Sequence, residues 1–309
     1  MPDSATTGDV ATERVLLGDE AVAQAAIDAG ITAAYAYPGT PSTEILEHVL
    51  KVQKAEGAPR ATWCANEKTA YEAALGVSMV GRRCLVAMKH VGLNVAMDPF
   101  VNSALVELGG GLVVVVADDP GMHSSQNEQD TRMLADFARV PCLEPANQQE
   151  AYDMTREAFE LSERFHVPVI IRLVTRLAHS RARGALAPAR PENERTTDVD
   201  ASSWILLPAN ARRLWKRLLE TQDGIRAAIA ASPANELTLR EPGGLGLITT
   251  GIAQNYYREN RDDMDPLPSH LHIGAYPFPE EKMRELVAHV DRVLVLEEGQ
   301  PYVERHLRG

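Results

Sequence analysis

An α/β chain is predicted, with a parallel sheet covered by helices on both faces and a second, smaller α/β domain after it. Strand-like and helix-like segments alternate from residue 15 to about 175. The run "LVVVVA" (112–117) is apolar without alternation, as in strands buried on both faces. Apolar residues make up 45% of the chain but aromatics only 5%, so small aliphatic side chains dominate the core. A length of 309 residues suits about two domains.

The elements follow in order. "DEAVAQAAIDAG" reads as a helix with Asp19 as cap and Gly30 as stop. "TAAYAY" is a strand that runs into "PGTP", where Thr40 is read as the next cap with Pro41 at the first helical position. "ATWCA" is a short strand. Asn66 then caps a helix that opens on Glu67 and carries Ala70, Ala73, Ala74 and Val77 at the spacing of one face. "RCLVAM" is a strand, "KHVGLN" a loop, and Pro99 the start of a helix reaching the glycines at 109–111. After "LVVVVA" comes the polar loop "DDPGMHSSQNEQD". A short strand near Cys142 follows, and Asn147 with Glu150 resembles a capping box. "VPVIIRLV" completes this unit.

The expected organisation is a flexible N-terminus (1–14), a first α/β domain (15–177), a linker with connecting helices (178–240) and a second α/β domain (241–309). The linker is rich in Pro, Arg and Ala and has no periodicity. In the second domain "GLGLITTG", "LHIGAYP" and "DRVLVLEEG" read as strands, and "IAQNYYREN" and "PEEKMRELVAHV" as helices.

Composition excludes several functions. A net charge of −12 argues against nucleic acid or an anionic membrane as main partner. Cys64, Cys84 and Cys142 are scattered, with no CxxC, so no disulfide framework, zinc site or iron–sulfur ligation is expected. Cys64 and Cys84 are read as buried in strands. With no apolar leader and no membrane-length apolar run, the chain reads as cytoplasmic. "GLGLITTG" lacks GxGxxG spacing, no GxxxxGK[ST] occurs, and "GDE" at 18–20 is not the "GDG" that opens a diphosphate–magnesium motif. His90 and His123 lack ligand spacing, so no metal is assigned to this chain.

Four polar or glycine-bearing loops each follow an apolar strand: 37–43, 65–68, 88–94 and 117–132. Ligands of open parallel sheets bind beyond the carboxyl ends of the strands, so this is the candidate site. Glu67 at a helix mouth has a plain explanation, because carboxylates favour helix N-termini. The motifs around it add a second one.

"YPGTPSTEI", "ANEKTAYEAALGVSMVG", "MKHVGLNVAMDP" and "SSQNEQDTR" resemble the first domain of 2-oxoacid:ferredoxin oxidoreductases, above all the indolepyruvate ferredoxin oxidoreductase α subunit. "GLGLITTG", "HIGAYPFPEEKMRELV" and "VLVLEEGQPYVE" resemble that family's second domain. The resemblance covers about 14–177 and 243–308. It implies a thiamine-diphosphate-binding, pyrimidine-type parallel-sheet domain followed by a smaller transketolase-C-terminal-like α/β domain. Glu67 then matches the carboxyl that hydrogen-bonds the cofactor's pyrimidine nitrogen and shares a proton with it. The implied reaction is oxidative decarboxylation of an aryl or branched 2-oxoacid to an acyl-coenzyme A, with electrons passing to an iron–sulfur acceptor.

Thr40 matches a threonine that bonds the substrate carboxylate, and a plain helix cap explains it equally well. Gln126, Asn127, Gln129 and Arg132 fall where the family makes substrate contacts. Gly92 and Asn94 would shape the backbone around the cofactor. The family's α subunits continue into a diphosphate-binding domain and a ferredoxin-like tail, which these 309 residues lack. Either those domains are a separate subunit or the chain is a fragment. The expected partners are a diphosphate-binding subunit and an iron–sulfur, ferredoxin-type subunit, in a hetero-oligomer. Magnesium and iron–sulfur clusters would belong to them. A non-oxidative thiamine-diphosphate decarboxylase or carboligase subunit, and a non-catalytic scaffold, remain as alternatives.

Overall fold

A computed structural model describes residues 12–196 and 200–308. Of the N-terminal segment expected to be flexible, residues 1–11 lie outside that description and the rest opens a strand. β1 (Thr12–Leu17) leads into α1 (Gly18–Asp28). Asp19 is not the cap of α1: it is buried in the first turn, and Leu17 holds the cap position with its N–H donated to Glu20 at 3.0 Å. Gly30 follows the helix in the left-handed region, at φ +75°. β2 (Ala33–Ala36) then leads to α2 (Thr43–Glu56), whose cap position is Ser42; Thr40 stands exposed before it.

β3 (Arg60–Trp63) feeds α3 (Glu67–Met79). Asn66 caps α3 as expected, accepting the Thr69 N–H at 2.9 Å. The buried face of α3 is Ala70, Tyr71, Ala74 and Ser78, while Ala73 and Val77 are half-buried. The stripe is rotated because Tyr71 fills the space beneath the helix, edge-on to Phe100 at 6.1 Å between ring centres.

β4 (Cys84–Lys89) is followed by a short helix, α4 (His90–Val95), where a loop was expected, and then by α5 (Met97–Ser103). Pro99 sits inside the first turn of α5, where a missing N–H is harmless, so the helix starts ahead of it. β5 (Leu112–Asp118) is buried at every position. α6 (Thr131–Ala138), β6 (Cys142–Leu143), α7 (Gln148–Phe165), β7 (Val169–Val174) and α8 (Thr175–Ala178) complete the unit. Asn147 caps α7, and Glu150 accepts the Ala146 N–H at 2.8 Å.

The expected linker is more ordered than its composition suggests. β8 (Arg181–Leu186) pairs antiparallel with β1. Beyond it Arg190 and Thr196 donate backbone N–H groups to Asp28 and Val80, at 2.8 and 3.0 Å, and so hold the chain on the first domain. α9 (Pro208–Ala230) is one continuous helix. Next come β9 (Asn235–Thr238), β10 (Leu245–Thr250), α10 (Ala253–Asn260), β11 (Ser269–Ile273), β12 (Ala275–Tyr276), α11 (Glu280–His289), β13 (Arg292–Leu296) and α12 (Tyr302–Arg308).

Among the described residues the large sheet has the order β12-β6-β7-β5-β4-β2-β3 and the small sheet β13-β10-β11-β9. The large sheet is parallel from β3 to β6. Its edge strand β12 is antiparallel and comes from the second unit, so the two units share a sheet. Cys84 and Cys142 are buried, but Cys64 lies beyond β3 and is half-buried; all three are free. Among the described residues no helix is long and apolar enough to cross a membrane.

Candidate active site

The chain order of the large sheet places a crevice where the four loops meet. From β2 the chain moves outward to β3, then returns to the other side of β2 as β4. Connections diverge at that point, so the loops after β2 and β4 leave a cleft between them. The loops stay in contact there: a Cβ at Gly39 would lie 3.1 Å from the Lys89 side chain. Loops 37–43, 65–68, 88–94 and 117–132 follow β2, β3, β4 and β5, which are four adjacent parallel strands.

Glu67 reaches this crevice from the mouth of α3. Its half-buried side chain lies against Gly92 of α4: a Cβ at Gly92 would be 2.6 Å from Glu67 Cγ and 2.6 Å from Oε1. Only glycine leaves room there. Neighbouring Lys68 pairs with Asp98 at 2.9 Å, and no ion pair among the described residues includes Glu67.

The long loop 117–132 is anchored from inside. Asp119 accepts from Ser124 N–H at 2.8 Å, Ser125 Oγ at 2.7 Å and Thr175 Oγ1 at 2.8 Å. Burial opposes its ionisation, but these hydrogen bonds outweigh burial and hold its pKa down at about 2. Lys89 Nζ donates to the Ser124 carbonyl at 3.1 Å, and His90 Nε2 lies 3.0 Å from the Asn127 carbonyl. The loop is thereby folded toward Gly92 and Glu67. Lys89, His90 and Asp119 were not singled out as anchors from sequence. The one available cue was a charged residue at the end of an apolar strand.

The expected site residues divide. Glu67 and Gly92 are in contact. Thr40, Gln126 and Asn127 are exposed on loops of the same edge, Asn94 is exposed on α4, and Gln129 is half-buried on its loop, donating to Asn127 at 3.2 Å. Arg132 is a correction. Its side chain is fully buried and pairs with Asp130 at 2.5 Å and Glu297 at 3.0 Å. It also donates to the carbonyls of Glu298 and Gln300, at 3.3 and 3.0 Å. Its guanidinium therefore locks the two units together and is not free for a substrate.

The residues fit a pyrimidine ring. A half-buried carboxyl with no cation partner among the described residues stands on the sheet edge where the loops after β2 and β4 diverge, free to meet a ring nitrogen. Two surface clefts, of about 810 and 530 Å³, lie on the second unit, along residues 231–239 and 280–307. The crevice at Glu67 is an open edge.

The described residues thus form a parallel-sheet α/β domain with Glu67 on the edge where its crevice opens, followed by a small α/β unit. The chain belongs to the pyruvate flavodoxin/ferredoxin oxidoreductase family, thiamine-diphosphate-binding, whose model matches residues 24–202. It is 40% identical over 312 aligned residues to the indolepyruvate oxidoreductase subunit IorA of Archaeoglobus fulgidus, covering 97% of this chain and 49% of that protein. With the ketoisovalerate oxidoreductase subunit VorB of Methanothermobacter marburgensis it shares 26% identity, over 88% of this chain and 82% of that one. The chain thus spans about half the length of the indolepyruvate oxidoreductase subunits it matches. Among solved structures, 2-oxoglutarate:ferredoxin oxidoreductase from Magnetococcus marinus, with 2-oxoglutarate, coenzyme A and succinyl-CoA bound, shares the fold. Its TM-score is 0.79 at 17% identity, over 96% of this chain and 60% of that one. A split-gene transketolase matches at TM-score 0.59 and 16% identity, over 92% of this chain and 80% of that one. Both confirm the α/β fold class.

Proposed function

We propose that the chain supplies the pyrimidine-binding half of a thiamine-diphosphate-dependent 2-oxoacid oxidoreductase. The overall reaction is oxidative decarboxylation of an aryl or branched 2-oxoacid to an acyl-coenzyme A, with electrons leaving to an iron–sulfur acceptor in a partner. The relatives' indolepyruvate and ketoisovalerate names support that substrate class. The observation that carries the reading is the Glu67 carboxyl, positioned against Gly92 and without a cation partner among the described residues.

In this reading Glu67 hydrogen-bonds a pyrimidine nitrogen and holds a proton there, in a site dry enough to strengthen that bond. Gly92 and Asn94 shape the backbone beside the ring. When bound, thiamine diphosphate supplies the electron sink that lets a 2-oxoacid lose carbon dioxide. Thr40 donates its hydroxyl to the substrate carboxylate. Gln126, Asn127 and Gln129 line the opposite wall, on the loop that Asp119 anchors. Magnesium and its diphosphate belong to a partner subunit or domain, which also closes the open edge against water. Iron–sulfur clusters belong to a ferredoxin-type partner.

The test is isothermal titration of these 309 residues with thiamine diphosphate and magnesium. Weak or absent binding is expected, because most affinity for a diphosphate comes from its metal and that metal's carboxylates. Adding a partner that carries the diphosphate motif should restore binding and activity together. Micromolar, magnesium-dependent binding by the lone chain would overturn the split site.

A further inference from the structure

On α1, α2 and the segment after α8, three side chains far apart in sequence come together. They are Asp19, Glu44 and His179, and one donor atom from each lies within 4.8 Å of the other two. The fold enforces this meeting. A Cβ at Gly18 would lie 2.3 Å from the Leu177 carbonyl oxygen, so the start of α1 abuts α8 with no space between them. Glu44 enters from the first turn of α2.

The Asp19 side chain is fully buried, and neither of its carboxylate oxygens has a hydrogen-bond partner among the described residues. Glu44 Oε2 is also buried and without a hydrogen bond among them, 3.6 Å from His179 Nε2. Two adjacent carboxylates with no buried donor are a costly arrangement for a fold to keep. Among the described residues no lysine or arginine pairs with either carboxylate; His179 alone stands beside them.

We infer that Asp19, Glu44 and His179 bind one divalent transition-metal ion of the zinc or manganese class. Two carboxylates neutralise a dication. An imidazole in the set favours transition metals over magnesium and calcium, which prefer oxygen-only shells. Glu44 and His179 have side chains 37% and 36% exposed, which gives the ion a route in and leaves room for a water ligand. This ion is separate from the magnesium assigned to the partner.

The position gives the ion a task. Glu44 follows Thr43, whose hydroxyl accepts the Gly39 N–H at 3.1 Å at the root of the Thr40 loop. His179 follows α8, whose first residue, Thr175, donates to Asp119 and so helps anchor loop 117–132. A bound ion fastens the roots of both loops beside Glu67 while touching neither substrate nor cofactor.

The experiment titrates the full metal-free chain with Zn²⁺ alone and with Mn²⁺ alone, followed by calorimetry and thermal melting. One equivalent should bind and raise the melting temperature. Asp19→Asn keeps the shape and removes one like charge, so the metal-free variant should remain folded. It should bind at least about tenfold more weakly, the minimum cost of losing even an outer partner of a metal site, and lose the metal-induced rise in melting. His179→Ala should weaken Zn²⁺ in the same way. Equal Zn²⁺ binding by wild type and Asp19→Asn would overturn the assignment. So would the absence of binding of either ion at millimolar concentration, or Mg²⁺ binding as tight as Zn²⁺. No thiamine diphosphate is present, so the result is independent of the function proposed above.

Discussion

The Glu67 side chain rests on the bare backbone of Gly92, where a Cβ would lie 2.6 Å from both Cγ and Oε1 of the glutamate. Gly92→Ala separates the site from the fold. Alanine favours helix α4 by up to about 1 kcal/mol, which leaves at most about 2 kcal/mol of the roughly 1–3 kcal/mol of overpacking. The melting temperature should fall by no more than about 8 °C. Glu67, however, must swing aside, and misplacing a catalytic group by about an ångström costs about a hundredfold in rate. Turnover by the assembled complex should fall by that order. A variant with near-wild-type turnover would show that Glu67 does not need this seat.

Arg132→Ala should act on stability. The arginine is buried with Asp130 and Glu297, and it bonds the backbone of the turn that carries Gly299, at φ +100°, toward α12. Glu297 in turn accepts the N–H groups of Tyr302 and Val303 at 3.1 and 3.0 Å, which makes it the cap of α12. Removing one member of a buried ion pair costs about 3–5 kcal/mol. A melting point lower by about 10 °C is expected. Hydrogen exchange should quicken over residues 297–308 before it does in β5. Unchanged melting with a raised KM for the 2-oxoacid would return Arg132 to the substrate site.

The second unit carries an acid-sensitive pair. His270 Nε2 and His272 Nδ1 both lie at Thr249 Oγ1, at 2.8 and 3.0 Å. Burial, then Arg258, lowers His270 to about 4, and burial, then His270, lowers His272 to about 3. In the unfolded chain both imidazoles take protons near pH 6.5. Stability from neutral burial is therefore complete above pH 6.5 and is lost as pH falls toward 4. Each such group contributes a slope of about 1.4 kcal/mol per pH unit in that window. Urea melts of His272→Asn between pH 6 and 4.5 should show a slope smaller by about one proton than wild type. Identical slopes would mean that His272 titrates in the folded state.

Much of the fold was legible because its signals are local. Asn66 and the Asn147–Glu150 pair cap the helices they were read to cap, and the apolar run 112–117 lies in β5, the central strand of a covered sheet. β8 was missed because its pattern is mostly exposed and arginine-rich; a partner distant in sequence, β1, makes it a strand. Thr40 was read as a cap through Pro41, yet the helix starts at Thr43, two residues later, with Ser42 in the cap position. In the site, Glu67 and Gly92 were legible as motif residues, but their contact was not. Arg132 was placed with its sequence neighbours. Asp130 caps α6 and pairs with Arg132, and that turns the guanidinium inward, toward Glu297 from the far end of the chain. The Asp19, Glu44 and His179 cluster left no sequence signal, because it exists only where three helices meet.

The central claim is that the Glu67 carboxyl drives proton removal from the cofactor. The direct measurement is hydrogen–deuterium exchange at the thiazolium carbon of thiamine diphosphate in the assembled complex, by rapid quench, for wild type and Glu67→Gln. Glutamine keeps the shape and cannot share the proton, so both complexes should assemble alike. Exchange in the variant should slow by at least about a hundredfold, the usual weight of positioned acid–base catalysis, with turnover falling in step. Exchange at the wild-type rate in a correctly assembled Glu67→Gln complex would contradict the role assigned to Glu67.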